Sequence, residues 1–113
     1  MSEFVAYLHE VFERFGPIAT RKMFGGYGIY HDGLMFGLVA DDTLYLKADG
    51  ENAHTFEELG LGPFEYNKSG KIMKMSYFQA PDDIFDDRDL AAAWAARSFE
   101  AALRAQRGKK KRR

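Results

Sequence analysis

The sequence contains no cysteine, which excludes disulfides, thiolate zinc sites and cysteine nucleophiles, though it fixes no redox compartment. It also lacks a long hydrophobic run: the longest, Leu34–Ala40, is about a third of what a bilayer span requires. No charged-then-apolar leader follows Met1, so the expectation is a soluble, cytoplasmic protein without membrane contact. Catalytic and metal-binding patterns are missing too. His9, His31 and His54 lie far apart with no zinc-ligand spacing, and none of Ser2, Ser69, Ser76 and Ser98 sits on a nucleophile elbow. No carboxylate pair stands out from the surface acids, so neither an enzyme nor a metal or cofactor site is expected.

What is present is globular material. Hydrophobic residues make up 46% of the 113 and aromatics 15%, enough for one modest core but too few residues for two. The net charge of -1 hides an asymmetry. Seven of the 16 Lys and Arg fall in the last ten residues, leaving nine against all 17 acids in residues 1–103, a body of net -8. Such a body repels phosphates, whereas a short Lys/Arg arm attracts them without reading sequence. Arg107, Lys109, Lys110, Lys111, Arg112 and Arg113 therefore read either as a polyanion contact or as a solvated terminus.

The spacing of Phe4, Val5, Leu8, Val11, Phe12 and Phe15 predicts an amphipathic helix over residues 3–15, capped by Ser2 and ended by Gly16-Pro17. Residues 20–47 read as a β-meander punctuated by Gly25-Gly26, Asp32-Gly33 and Asp41-Asp42, with Asp32-Gly33 the strongest hairpin signal. A short helix over 49–59 and two antiparallel strands, 64–66 and 72–79, follow. Asp87 then caps a final Ala-rich helix beginning near Arg88, whose stripe includes Leu90 and Trp94. Two sharper readings fail on context. Gly25-Gly26-Tyr27-Gly28 lies between strands, not at a helix start, so it reads as a bulge or turn and not a phosphate loop. The aspartates from Asp82 to Asp89 lack the glycine and terminal glutamate of a calcium loop.

If helices cover only one side of the sheet, the polar parity of the strands forms an open face. Leu44, Leu46, Met73 and Met75 are taken as the core parity, which places Arg21, Lys22, Tyr45, Lys47, Lys74 and Phe78 together on the other. Such a surface can stack bases and hold phosphates, can contact a protein, or can be an ordinary amphipathic face with snorkelling lysines.

The run Arg21-Lys22-Met23-Phe24-Gly25-Gly26-Tyr27-Gly28-Ile29-Tyr30, followed by Asp32-Gly33-Leu34-Met35-Phe36 and Thr43-Leu44-Tyr45-Leu46-Lys47, resembles the TfoX/Sxy family. Gly62-Pro63-Phe64-Glu65-Tyr66, then Met75-Ser76-Tyr77-Phe78 with Pro81, then Leu90 and Trp94, extend the resemblance over roughly residues 3 to 104. The resemblance implies an α/β (α+β) two-layer sandwich, secretion-chaperone-like. Its mostly antiparallel, meandering sheet would have five to six strands, with helices at both ends of the chain. It implies no catalytic residues and no cofactor. Full-length members are regulators of natural competence, co-activators with the cyclic-AMP receptor protein, and carry a second, helical C-terminal domain. The chain is thus expected to be a stand-alone TfoX N-terminal-like domain over 1–107 with a basic disordered tail over 108–113. Its expected role is a regulatory module that binds a protein of the transcription machinery or itself. The alternative is direct, weakly specific nucleic-acid binding through the open face and tail.

Overall fold

The computed structural model describes the backbone of residues 2–23 and 25–111, and the side chains of these except residues 68, 73, 74 and 109–111. The first helix, α1 (Glu3–Val11), begins where Ser2 Oγ accepts the Val5 amide at 3.1 Å, and it buries Val5, Leu8 and Val11. It stops earlier than the apolar spacing predicts. Phe12 leaves helical geometry, the Gly16 amide returns to the Phe12 carbonyl at 3.0 Å, and the resulting turns set Phe12 and Phe15 edge-on or tilted against Phe36.

Among the described residues six strands follow: β1 (Ala19–Met23), β2 (Gly26–His31), β3 (Leu34–Ala40), β4 (Thr43–Lys47), β5 (Pro63–Lys68) and β6 (Lys71–Gln79). They form one sheet in the order β1-β2-β3-β4-β6-β5, with every pairing antiparallel. Tight turns join them where the sequence allows positive φ: Asp32 and Gly33 at 51° and 76°, Asp41 and Asp42 at 51° and 54°, Ser69 and Gly70 at 52° and 85°. The β2–β3 register jumps from Ile29↔Gly37 to Tyr30↔Met35, leaving Phe36 as the extra residue of a bulge. The bulge turns Phe36 into the core, where it is fully buried.

Between β4 and β5, helix α2 (Ala53–Glu57) is shorter than its apolar spacing predicts, because side chains occupy the preceding backbone. Asn52 Oδ1 accepts the Asp49 amide at 2.7 Å, and Asp49 Oδ1 accepts the Glu51 amide at 2.9 Å. A short 3-10 helix (Asp82–Asp86) then leads to α3 (Arg88–Lys111). Asp87 Oδ1 caps α3 by accepting the Leu90 amide at 3.0 Å. Ala91, Ala95, Ala101 and Ala102 are buried, and these small side chains let α3 lie close over β3 and β4. The helical backbone continues through Lys111, so residues 108–111 extend α3 where composition predicts a disordered tail. Cationic residues suit the negative end of the helix dipole. Arg112 and Arg113 lie outside the described residues.

The antiparallel sheet with helices on one face matches the α+β class expected from the sequence. Among the described residues no helix is long and apolar enough to cross a membrane.

One ion pair ties α3 to the β4–α2 connection. Arg104 donates from Nε and Nη2 to the Asp49 carboxylate at 2.6 and 2.9 Å, and Nε also lies 3.1 Å from Glu51. Arg104 holds the Asp49 carboxyl below its ordinary 3.8 chiefly by this hydrogen bonding, helped by the Glu51 amide. A lowered folded value means the stabilisation is complete above the ordinary carboxylate range and disappears as pH falls through the lowered one. Asp49→Asn is expected to cost about 1–2 kcal/mol at neutral pH and to flatten the acid side of the stability profile. Urea unfolding of both proteins across the acid range measures it, and parallel profiles would contradict the assignment.

Candidate interaction face

Cross-strand partners share a face, so the register assigns every strand residue to the helix side or the other. Leu46 pairs with Phe78 and Val39 with Leu44, all of them in or against the core beneath α1 and α3. Tyr45 pairs with Leu38 on one side and Gln79 on the other, and Lys47 with Tyr77, which puts these residues on the opposite face. Arg21, paired with Gly28, belongs to that face as well, its guanidinium 5.6 Å from the Tyr30 ring centroid.

Three of the six residues expected to share the open face are therefore there: Arg21, Tyr45 and Lys47. Phe78 is not. It stacks on Phe56 at 5.4 Å between ring centroids and belongs to the helix side, because the β4–β6 register matches Leu46 with Phe78 and not with a methionine. Lys22 pairs with Tyr27, which packs against the core, and is exposed at the edge strand on the helix side. Lys74 is in register with Glu65, a parity it shares with Phe78. Of the C-terminal cations, Arg107 is exposed on α3.

The face holds more apolar surface than its polar parity suggested. Met23, Met35, Leu38, Phe64, Tyr66 and Met75 line a cavity of about 280 Å³. Met23 is on β1 and Tyr66 on β5, the two edges of the sheet. In a flat sheet these edge strands would stand roughly 24 Å apart. Sharing one cavity requires the sheet to curl, with the helices on its convex side. Tyr45 meets Phe64 edge-on at 5.0 Å across this concavity, and Leu38, only 6% exposed, forms part of its floor. Met35 also borders a second hollow with Lys47, Tyr77 and Ala102 of α3. Lys47 Nζ donates to Ser76 Oγ at 2.8 Å and lies 5.0 Å from the Tyr77 ring centroid. Burial pushes the Tyr77 hydroxyl up to about 12, with a smaller contribution from Tyr30. The sequence places Met23, Met35 and Met75 on three different strands, and only the register and the curl of the sheet bring them together, Met75 on the face opposite to the core parity expected for it.

The remaining candidates have structural occupations. His31 Nδ1 lies 2.8 Å from the Pro17 carbonyl, with its ring among Phe15 and Phe99. Asp89 pairs with Arg14 at 2.6 Å, and Asp87 serves as a helix cap. Among the described residues no group of three or more His, Asp or Glu could hold a metal ion. The glycine cluster runs from strand to strand. Gly25, at φ +76°, makes the turn, and Gly28 sits where a Cβ would be 2.9 Å from both Met23 Cε and Tyr30 Cε1.

The charge on the strands runs opposite to that of the body. Their sequences contain Arg21, Lys22, Lys47, Lys68, Lys71 and Lys74 but one carboxylate, Glu65. The acidic excess thus resides on helices and connections.

A family model described as the TfoX N-terminal domain matches residues 10–102. The chain is similar to the DNA transformation protein TfoX1 of Aliivibrio fischeri, 37% identical over 70 residues, covering 62% of this chain and 34% of that protein. It is 26% identical over 89 residues to Protein Sxy of Escherichia coli, covering 79% of this chain and 43% of that protein. The DNA transformation protein TfoX of Haemophilus influenzae is 32% identical over 69 residues, covering 60% of this chain and 32% of that protein. The matches thus span from 32% to 43% of the length of these relatives.

Proposed function

This chain belongs to the TfoX N-terminal domain family, and from that membership we propose that it works as a non-enzymatic regulatory interaction module acting through protein contacts. The setting is the one that its relatives' names describe, DNA transformation. The observation that carries the reading is the concave face, left uncovered by the helices and composed of Met, Tyr, Phe and an Arg, the residue types enriched where proteins meet. Three methionines make such a face adaptable, since unbranched thioethers repack around different contacts. Tyr45 and Arg21 are the residues assigned to the contact, with Lys47 at its margin.

One observation favours a second reading, direct binding of nucleic acid: the excess of cations on the strands, continued by the cations at the end of α3. The two readings separate in a titration. Protein lacking residues 108–113 is mixed with single-stranded DNA and RNA at low and moderate salt, beside the full chain. The expected result is weak, salt-sensitive binding by the full chain, none by the shortened one, and an unchanged melting temperature on deletion. Micromolar binding by the shortened protein that disappears in Tyr45→Ala or Arg21→Glu would replace the protein-contact reading with the nucleic-acid one.

A further inference from the structure

We propose that the cavity in the concave face is a ligand site for a small amphiphilic acid, a slender alkyl or aryl body carrying one anionic group. The proposal goes beyond the protein-contact reading and does not depend on it.

The body of the ligand follows from shape. The cavity of about 280 Å³ is close to the lower end of the range of small-molecule pockets, and nearly twice the roughly 150 Å³ that an engineered apolar cavity needs to hold benzene. Its walls come from both edges of the curled sheet. A slender molecule reaches the floor at Leu38, where a broad folded surface is stopped by the rims at Met23 and Tyr66. The three methionines supply polarisable walls that adjust to a flexible chain.

The sign of the head group follows from charge. On this face of the strands, among the described residues, the charged side chains are Arg21, Lys47 and, beside the β5–β6 turn, Lys71, all cationic, and the one strand carboxylate, Glu65, belongs to the other parity. Asp32, in the turn beyond Tyr30, lies 3.5 Å from His31 Nε2. Arg21 and Lys47 both stand outside the cavity itself, in the hollows next to it: Lys47 borders the one that Met35 shares and lies against the Tyr77 ring, and Arg21 borders another beside Tyr30 and lies against that ring. A carboxylate on a chain emerging past Met35 enters the hollow that Lys47 borders, with Arg21 beyond Tyr30, whereas an ammonium there meets like charge.

The test uses the full chain labelled with ¹³C at the methionine methyls, titrated with decanoate, decanol and decyltrimethylammonium, each below its micelle threshold. Saturable shifts of the Met23, Met35 and Met75 methyls are expected with decanoate, with affinity at least threefold above the ammonium. Arg21→Gln with Lys47→Gln should weaken decanoate at least threefold and leave decanol unchanged. Met75→Glu, which places a carboxylate in the apolar wall, should abolish the decanoate shifts, with near-ultraviolet dichroism reporting whether it folds. If it does not fold, the double variant and the head-group comparison decide. Decanoate that leaves the three methyls unmoved overturns the site. Equal affinity for the two charged heads overturns the assigned anion. Failure of the protein-contact reading would show in the titration with single-stranded DNA and RNA and would leave these shifts unaffected.

Discussion

Trp94→Ala is expected to lower stability by about 3–5 kcal/mol, or roughly 12–20 °C in melting temperature for a domain of this size. The ring is 7% exposed and meets Phe56 edge-on at 5.0 Å. Phe56 in turn stacks on Phe78, so one indole holds α3, α2 and β6 together. Arg97 lies over the ring, its guanidinium carbon 4.6 Å from the ring centroid. Removing the ring leaves a void between a helix and a sheet whose positions are fixed elsewhere by Ile84, Ala91 and Leu46, so the site can collapse only partly. Trp94→Phe retains part of the contact and should lose markedly less. Calorimetry of the three proteins measures the effect. An Ala variant melting with the parent would mean that the α3 face is wrongly assigned.

Gly26→Ala is expected to cost about 3 kcal/mol, the upper part of the range for overpacking, because the obstruction is backbone. A Cβ on Gly26 would run into the Val39 carbonyl oxygen and lie 3.1 Å from the carbonyl carbon, and neither can move without displacing β3 from the sheet. Gly25→Ala is the control. Its Cβ would enter open space, so the cost is only that of a left-handed backbone at φ +76°, about 1 kcal/mol. Urea unfolding ranks the two. A reversed order would refute the close approach at Gly26. The Met-Phe-Gly-Gly-Tyr-Gly run is then a packing requirement of the β1–β2 turn and not a ligand loop.

Local chemistry was legible wherever one residue determines the outcome. Asp32-Gly33 can make a two-residue turn and does, Ser2 and Asp87 can cap helices and do, and Trp94 is buried on the predicted stripe. The face of Phe78 was not legible, for a physical reason. β6 carries apolar residues on both parities, and α2 and β5 separate it from its partner β4, so no hairpin turn fixes the register. The same difficulty hid the cavity. Its walls come from strands at opposite edges of the sheet, and only curling brings them together. α1 and α2 are shorter than their apolar spacing predicts because that spacing persists where regular helical geometry does not: Phe12 and Phe15 continue the stripe of α1 from hydrogen-bonded turns, and Asp49 and Asn52 take backbone amides ahead of α2.

The length of α3 has a consequence for how the molecule meets a charged surface. Its 24 residues rise about 36 Å, comparable to the 36 Å longest extent of the fold. The helix begins among Asp82, Asp83, Asp86, Asp87 and Asp89 and ends in a run of lysines, so positive and negative charge are held at opposite poles of a rigid rod. Near an anionic surface the field exerts a torque before any contact forms, and at low ionic strength the protein arrives with the end of α3 leading and its acidic pole turned away.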